Sequence, residues 1–150
     1  MNKFMKMAIL EAERGIKSGD GGPFGAVLVK NGKVIAKAHN CVLKKNDATC
    51  HGEIEAIRKA SKSLKTFDLT GCELYTTAEP CPMCLSACAW ANIEKVYYGC
   101  HTKETEEIGF RDEKIYHLLR DRKKFLTQID ESECQKLFND YENLPNNKRY

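Results

Sequence analysis

The apolar residues of the first 40 positions follow two different spacings. Between residues 4 and 17 they recur every three or four positions, which predicts a helix that ends at Gly19, a residue suited to a helix C-terminus. The segments AVLVK (26–30) and KVIAKA (33–38) are short and apolar, and they flank Asn31 and Gly32. An Asn-Gly pair between two such segments favours a two-residue hairpin turn. The pattern therefore predicts a helix followed by two antiparallel strands.

Helices and strands continue to alternate toward the C-terminus. CELYTT (72–77) and KVYYGC (95–100) are β-branched and aromatic, and each follows a helical stretch that could serve as a crossover. Residues 112–119 and 132–143 predict two more helices, on either side of a short strand in KFLTQI (124–129). The order of elements predicts a single layered α/β domain with a mixed sheet over residues 1–150.

Length and composition narrow the setting of this domain. The chain has 150 residues, of which 42% are apolar and 30% charged, as in globular proteins that function in water. No run approaches the roughly 20 apolar residues of a membrane-spanning helix, and the N-terminus lacks the cleavage site of a secretory signal. A net charge of +3 is too small to favour nucleic acid as a partner. We expect a cytoplasmic protein that binds neither membrane nor nucleic acid.

Two cysteines stand at the predicted start of a helix. Cys81 and Cys84 follow the strand predicted at 72–77, and Pro80 and Pro82 mark the point where the helix begins. Residues three apart share one face of a helix. The N–H groups and the dipole of a helix start favour thiolate over thiol, and thiolate is the form that binds zinc. The spacing therefore predicts two zinc ligands.

A histidine and a glutamate stand at the start of another helix, in the stretch DATCHGEIEAIRKA (47–60). With His51 as third ligand beside Cys81 and Cys84, one tetrahedral position is left for water, the arrangement of catalytic zinc. Glu53 is placed to take a proton from that water without being a ligand itself. Gly52, between the two, is expected to let the backbone approach the reacting group closely.

Two other kinds of site remain open for these residues. A structural zinc site needs a fourth side chain, for which Cys50, Cys88 and His101 are the local candidates, and it has no need of a nearby carboxylate. A redox protein would instead join Cys81 and Cys84 in a disulfide that forms without metal. Metal analysis together with a thiol count would separate these alternatives from a catalytic zinc site.

The combination H-x-E followed by P-C-x-x-C is typical of zinc-dependent nucleobase deaminases. Within that superfamily the chain resembles the small bacterial guanine deaminases over almost its whole length. The segments that carry the resemblance are GGPFGAVLVKNGKVIA, EIEAIRKA, EPCPMCLSACAWANIEKVYYG, HTKETEEIGFRDEKIY and the terminal NKRY.

This resemblance implies a fold, an assembly and a reaction. The implied fold is a cytidine deaminase-like three-layer α/β/α domain with a mixed five-stranded sheet. The implied assembly is a homodimer in which the C-terminal segment, from about residue 125 to 150, is exchanged between subunits and completes the partner's active site. The implied reaction, with one zinc per chain, is hydrolytic deamination of guanine to xanthine and ammonia.

The resemblance also implies roles for five residues outside the zinc motif. Phe24 and Trp90 would line the base pocket, Asn40 would read the purine edge, and Asp112 would contact the base and help to move protons. Tyr150 would close the pocket of the other subunit. Each residue has a plainer interpretation: a core aromatic for Phe24 or Trp90, a turn-forming amide for Asn40, a helix N-cap for Asp112 and a frayed terminus for Tyr150.

One departure from the guanine deaminases bears on the substrate. Those enzymes usually have alanine between the histidine and the glutamate, whereas Gly52 is similar to the choice of the fungal cytosine deaminases. The cytosine enzymes lack the GFRDE segment and the terminal tyrosine, so these two features favour guanine. The tRNA adenosine deaminases share the zinc motif, but their RNA contacts call for a basic C-terminal helix, and residues 132–143 carry more acid than base.

Overall fold

The structure, a computed structural model, describes residues 1–120 and 126–145. The chain forms two compact units, Met1–His117 and Leu118–Tyr150. Its elements in order are α1 (Lys3–Lys17), β1 (Gly25–Lys30), β2 (Lys33–His39), α2 (Val42–Lys45), α3 (Gly52–Leu64), β3 (Cys72–Ala78), α4 (Pro82–Trp90), β4 (Lys95–Cys100), α5 (Thr102–Glu107), α6 (Asp112–Arg120) and α7 (Glu131–Glu142).

The first helix and the hairpin are as the sequence predicts. Asn2 caps α1, because its side-chain oxygen accepts hydrogen bonds from the N–H groups of Phe4 and Met5 at 2.8 and 3.2 Å. Strands β1 and β2 pair antiparallel across Asn31 and Gly32. Both turn residues have positive φ, 51° and 72°, which the Asn-Gly pair adopts at low cost.

The four strands form one mixed sheet in the order β2-β1-β3-β4. Strand β3 is an interior strand of the sheet, since it pairs antiparallel with β1 and parallel with β4. The parallel pair is joined through α4, as a crossover connection requires.

Helices cover both faces of this sheet, so the predicted three-layer α/β/α arrangement is confirmed. On one face Val27, Val29 and Tyr75 pack with Phe4 and Ala8 of α1. The opposite face carries a larger cluster that includes residues of α3 and α4: Ala26, Leu28, Ala36, Ala38, Ala56, Ala60, Leu69, Cys72, Leu74, Cys88 and Ala91. Alternate residues of a strand point to opposite faces, so even-numbered positions of β3 such as Leu74 face α3 and α4.

The prediction of a fifth strand is not supported by the described residues. Residues 126–129 of KFLTQI have no strand structure, and Lys124 and Phe125 lie outside the described residues. A strand needs a neighbour to hydrogen-bond with, and a six-residue pattern does not reveal whether one exists. The predicted helices at 112–119 and 132–143 are present as α6 and α7. The short helices α2 and α5 were not predicted.

Over residues 1–120 and 126–145, every helix is too short or too polar to cross a membrane.

Candidate active site

The N-termini of two helices carry the predicted metal ligands. His51 directly precedes α3, and Cys81 directly precedes α4, whose first residue is Pro82. Both cap residues have extended backbone, with φ/ψ of −69°/156° and −61°/166°. Because the chain enters each helix this way, the cap side chain lies beside the first turn and not on the helix surface. Cys84, in the first turn of α4, lies on the same side as Cys81.

The three predicted ligands converge on one point. Among the described residues, the donor atoms of His51, Cys81 and Cys84 all lie within 4.8 Å of one another. The Cys81 Sγ and the His51 Nδ1 are 3.6 Å apart. Zinc bonds of about 2.3 Å to sulfur and about 2.0–2.1 Å to nitrogen, at a tetrahedral angle, place those two atoms about 3.6 Å apart. The residues therefore fit a zinc ion in identity and in spacing.

Cys81 is held in the protonation state that binds metal. A hydrogen bond from the Cys84 thiol is the largest of the causes that lower the pKa of Cys81 to about 4, and the His51 ring adds a second hydrogen bond. The same contact with Cys81 raises the pKa of His51. These contacts favour the thiolate form of Cys81, the form that binds metal.

Glu53 lies beside the ligands and is almost fully buried, with 4% of its surface exposed. The Thr76 hydroxyl donates to its Oε1 at 3.1 Å, and its Oε2 lies 3.5 Å from the Cys84 Sγ. Burial raises the pKa of the Glu53 carboxyl. A carboxyl whose pKa is raised toward neutrality can both accept and return a proton. Its position and its environment suit a proton carrier.

A fourth protein ligand is not present among the described residues. The Cys50 thiol points away, to Asp47 Oδ2 at 3.3 Å, and accepts a hydrogen bond from Arg58 at 3.5 Å. His101 lies near Glu79 and Tyr98. Cys88, one turn further along α4, is buried in the larger core cluster. The closed four-ligand site of a structural zinc module is therefore not formed in this part of the chain.

His51 and Cys81 line a cavity of about 380 Å³, which is within the usual size range for small-molecule sites. The cavity is lined by Gly21, Gly22, Phe24, Asn40, Val42, Leu43, Ala48, His51, Glu53, Ala78, Glu79, Cys81, Phe110, Arg111, Asp112 and Ile115. Its surface is mainly apolar, and polar side chains from Asn40, Glu79, Arg111 and Asp112 lie in the wall beside the ligands and Glu53. Such a cavity suits a flat, aromatic ligand that carries a small number of hydrogen-bonding groups.

Three of the predicted substrate residues lie in this lining. Phe24 forms one wall. The Asn40 side chain accepts a hydrogen bond from the Val42 N–H through its Oδ1, at 3.1 Å, so the turn interpretation holds as well. Asp112 is the first residue of α6; its Oδ2 accepts a hydrogen bond from Thr105 at 3.3 Å, and burial raises the pKa of its carboxyl.

Of the other two predicted substrate residues, Trp90 does not line this cavity and Tyr150 is not described. Trp90 is the last residue of α4, 68% exposed, and the structure does not bring it to the cavity of its own chain. The helix explains this placement, because Trp90 is eight positions beyond Pro82, roughly 12 Å at the helical rise. Tyr150 lies outside the described residues.

Comparison with known proteins agrees with this geometry. Residues 1–100, which include all three ligands and Glu53, match the family described as the cytidine and deoxycytidylate deaminase zinc-binding region. The chain belongs to this family. The deaminase is therefore a zinc-binding enzyme, and the redox interpretation of Cys81 and Cys84 is set aside.

Individual relatives place the deaminase more closely. The guanine deaminase of Bacillus subtilis (strain 168) is 42% identical over 151 residues, which cover 98% of this chain and 97% of that protein. A tRNA-specific adenosine deaminase of Aquifex aeolicus is 46% identical over 101 residues, which cover 67% of this chain and 66% of that protein. An X-ray structure of guanine deaminase from Bacillus subtilis aligns with 100% of this chain and 99% of its own, at a TM-score of 0.93 and 41% identity.

Sequence reasoning missed several lining residues of the deaminase, among them Phe110 and Glu79. Phe110 packs edge-to-face against Phe24, with ring centroids 4.6 Å apart and planes at 81°. Glu79 lines the same cavity, and its carboxylate accepts a hydrogen bond from the Thr102 N–H at 3.3 Å. The adjacency of Phe110 to Asp112 in GFRDE, and of Glu79 to the zinc motif, were the available signals. Neither shows by itself which way a side chain points.

The backbone of Phe24 lies close to Gly52. A Cβ at this position would lie 3.0 Å from the carbonyl oxygen of Phe24 and 3.4 Å from its carbonyl carbon. That carbonyl already accepts the Asn40 N–H at 2.8 Å. The space that glycine leaves is therefore taken up by the backbone that carries the Phe24 wall.

A network of polar contacts around Asp20 and His39 supports the wall of the cavity that contains Asn40. The His39 ring bridges Asp20 and Glu11, with Nε2 at 2.9 Å from Asp20 Oδ2 and Nδ1 at 3.4 Å from Glu11 Oε2. The Lys44 ammonium lies 3.1 Å from the same Asp20 oxygen. Asp20 precedes the lining glycines and His39 precedes Asn40, so the network fixes the two chain segments that carry this wall.

Proposed function

We propose that the chain is a guanine deaminase that hydrolyses guanine to xanthine and ammonia. The observation that carries the proposal is a group of three zinc-binding side chains, which leaves one tetrahedral position for water. Glu53 lies beside this group in the lining of the cavity. The choice of guanine is supported by the similarity to Bacillus subtilis guanine deaminase over 98% of the chain.

His51, Cys81 and Cys84 would hold the ion. When bound, zinc supplies Lewis acidity that makes a water molecule nucleophilic near neutral pH. The protein's contribution is to bring the ligands together at two helix starts.

Glu53 moves the protons of the reaction. It accepts one proton from the attacking water and passes it to the ring nitrogen next to C2 of guanine, while the water oxygen forms a bond to C2. C2 then carries both oxygen and the amino group. The second water proton reaches that amino group through Glu53 or Asp112, the C2–N bond breaks, and ammonia leaves. Both water protons and the water oxygen are thereby accounted for in xanthine and ammonia.

Asn40 would contribute a hydrogen-bond donor to the base. Because the Oδ1 of Asn40 accepts the Val42 N–H, the amide presents its NH₂ group, which only donates hydrogen bonds. Guanine offers acceptors at O6 and N7 to such a donor. Phe24 would cover the ring face, and Asp112 would accept an N–H of the base. The Asn40 amide would therefore donate a hydrogen bond to the acceptor edge of guanine.

A substrate panel tests the proposed activity. We expect steady-state ammonia release from guanine with a kcat/KM well above those for cytosine, adenine and guanosine, and xanthine as the product by chromatography. Cytosine tests whether the enzyme distinguishes a purine from a pyrimidine, and guanosine tests whether the cavity admits a sugar. Preference for cytosine, or deamination of adenosine in tRNA without turnover of guanine, would refute the guanine assignment while leaving the zinc chemistry in place.

We also propose that the active enzyme is a homodimer in which the segment from about residue 125 onward crosses to the partner. Support comes from apolar side chains that the segment exposes, a costly arrangement unless another surface covers them. In the described part these are Leu126, Ile129, Leu137, Phe138, Tyr141 and Leu144. Phe125 belongs to the proposed contact but lies outside the described residues.

Deletion of Tyr150 tests this assembly. If its ring closes the partner's cavity, removal should lower kcat/KM for guanine sharply while light scattering still shows a dimer and zinc content is unchanged. One terminal side chain is a small part of such a contact. Tyr150→Phe is the matched control, because it keeps the ring and removes only the hydroxyl. A monomer in solution, or a deletion variant with unaltered kinetics, would contradict the exchanged tail.

A further inference from the structure

Thr76, in the sheet, forms a hydrogen bond to the Glu53 carboxylate. Thr76 is 1% exposed, and its hydroxyl donates to Glu53 Oε1 at 3.1 Å. It lies in β3 between two paired strands, opposite Ala26 of β1 and Tyr98 of β4. Being even-numbered, it faces the α3 side of the sheet together with Leu74. The hydroxyl is therefore carried by an interior strand of the sheet.

The next residue on the strand provides a comparison. Thr77 faces the other way: its hydroxyl donates to the Pro23 carbonyl at 3.1 Å and accepts the Gly25 N–H at 3.1 Å. These contacts join backbone segments and do not involve Glu53. Two adjacent threonines thus have the same chemistry and the same strand, but only one of them touches the proton carrier.

A glutamate needs such a contact more than a shorter side chain does. Glu53 reaches the site across three rotatable bonds, and the two oxygens of its carboxylate are interchangeable unless something distinguishes them. The Thr76 bond occupies Oε1, and Oε2 is the oxygen beside Cys84. A proton transfer requires the heavy atoms to be within hydrogen-bond reach and aligned, so a carboxylate already turned toward the ligands loses less to reorientation.

We propose that Thr76 is a positioning residue for the reaction, holding the Glu53 carboxylate so that Oε2 faces the zinc ligands and the substrate. The inference rests on the role of Glu53 given under the proposed function. Thr76 contacts Oε1, whereas Cys84 lies beside Oε2. Thr76 therefore acts through Glu53. Its effect is therefore expected on the rate of the chemical step and not on guanine or zinc binding.

Thr76→Val and Thr76→Ser test this role. Valine keeps the shape and removes the hydrogen bond, and serine keeps the hydroxyl. We expect Thr76→Val to lower kcat and the single-turnover rate about 10- to 100-fold, the effect of one hydrogen bond to a charged group, with KM and zinc content unchanged. Thr76→Ser should recover most of the rate. If Thr76→Val does not fold, Thr76→Ala removes the hydroxyl without that risk of crowding.

Two controls separate positioning from a general effect on the strand. Thr77→Val should not reproduce the split between kcat and KM, and Thr76→Val should have no further effect in a Glu53→Gln background. A wild-type rate in Thr76→Val, an equal loss of kcat in Thr77→Val, or a full additional loss in the Glu53→Gln background would each overturn the proposal. Failure of the guanine assignment is distinguishable, since the wild type would then turn over another base and the same comparison would be made with it.

Discussion

Replacing Glu53 with glutamine should leave a folded, zinc-loaded protein that turns over guanine about 10²- to 10⁴-fold more slowly, the usual contribution of a general acid–base group. The amide has the shape of the carboxylate and can still accept the Thr76 hydroxyl, which now bonds Oε1. It cannot take a proton from water or return one to the leaving amine. The measurement is single-turnover formation of xanthine, with zinc content determined on the same sample.

Glu55→Gln is the matched control for this variant. Glu55 lies two residues further along α3 and is also buried, but its carboxylate pairs with Lys45 and Arg58 and does not line the cavity. Its replacement should lower the unfolding temperature, because two ion pairs weaken, while turnover stays near that of the parent. If Glu53→Gln kept activity within tenfold of the parent, another group would have to be the base.

Replacing Cys84 with alanine should remove both the metal and a large part of the stability of the fold. Zinc binding contributes to folding free energy when its ligands come from separate segments, and here it joins the start of α3 to the start of α4. We expect zinc per chain to fall from about one to a small fraction, and the thermal midpoint to fall with it. Elemental analysis and calorimetry of the purified variant measure the two effects.

Cys88→Ala separates the loss of a ligand from the loss of a buried thiol. Cys88 is in the same helix, one turn further along, and packs in the larger core cluster. Its replacement should lower stability modestly through a small cavity and should leave the zinc content at one per chain. Full metal occupancy in Cys84→Ala would overturn the ligand assignment.

The parts of the fold that the sequence predicted are those that neighbouring residues determine. The turn at Asn31 and Gly32 and the cap at Gly19 depend on backbone preferences of single residues, and the structure has positive φ at all three. The zinc ligands were predictable for a related reason, because His51 and Cys81 each occupy the position before a helix, which local pattern can locate.

The rest depends on contacts between distant segments, which no local pattern reports. Phe110 is recognisable as a wall of the cavity only once its ring is seen against Phe24, 86 positions earlier in the chain. Thr76 and Thr77 are adjacent and equivalent in the sequence. Only the face of β3 on which each side chain lies shows which one reaches Glu53. Trp90 was assigned to the cavity by resemblance, but the length of α4 carries it elsewhere.

The close approach of Gly52 to the Phe24 carbonyl couples the size of the side chain at residue 52 to the position of the cavity wall. A methyl group at residue 52 would press on the Phe24 backbone from 3.0 Å, a distance at which the neighbour must move by a few tenths of an ångström. Because Phe24 is part of the cavity wall, exchange between glycine and alanine at this site would alter the width of the cavity without touching a ligand or the proton carrier. Residue 52 thus helps to set the position of a cavity wall that it does not itself form.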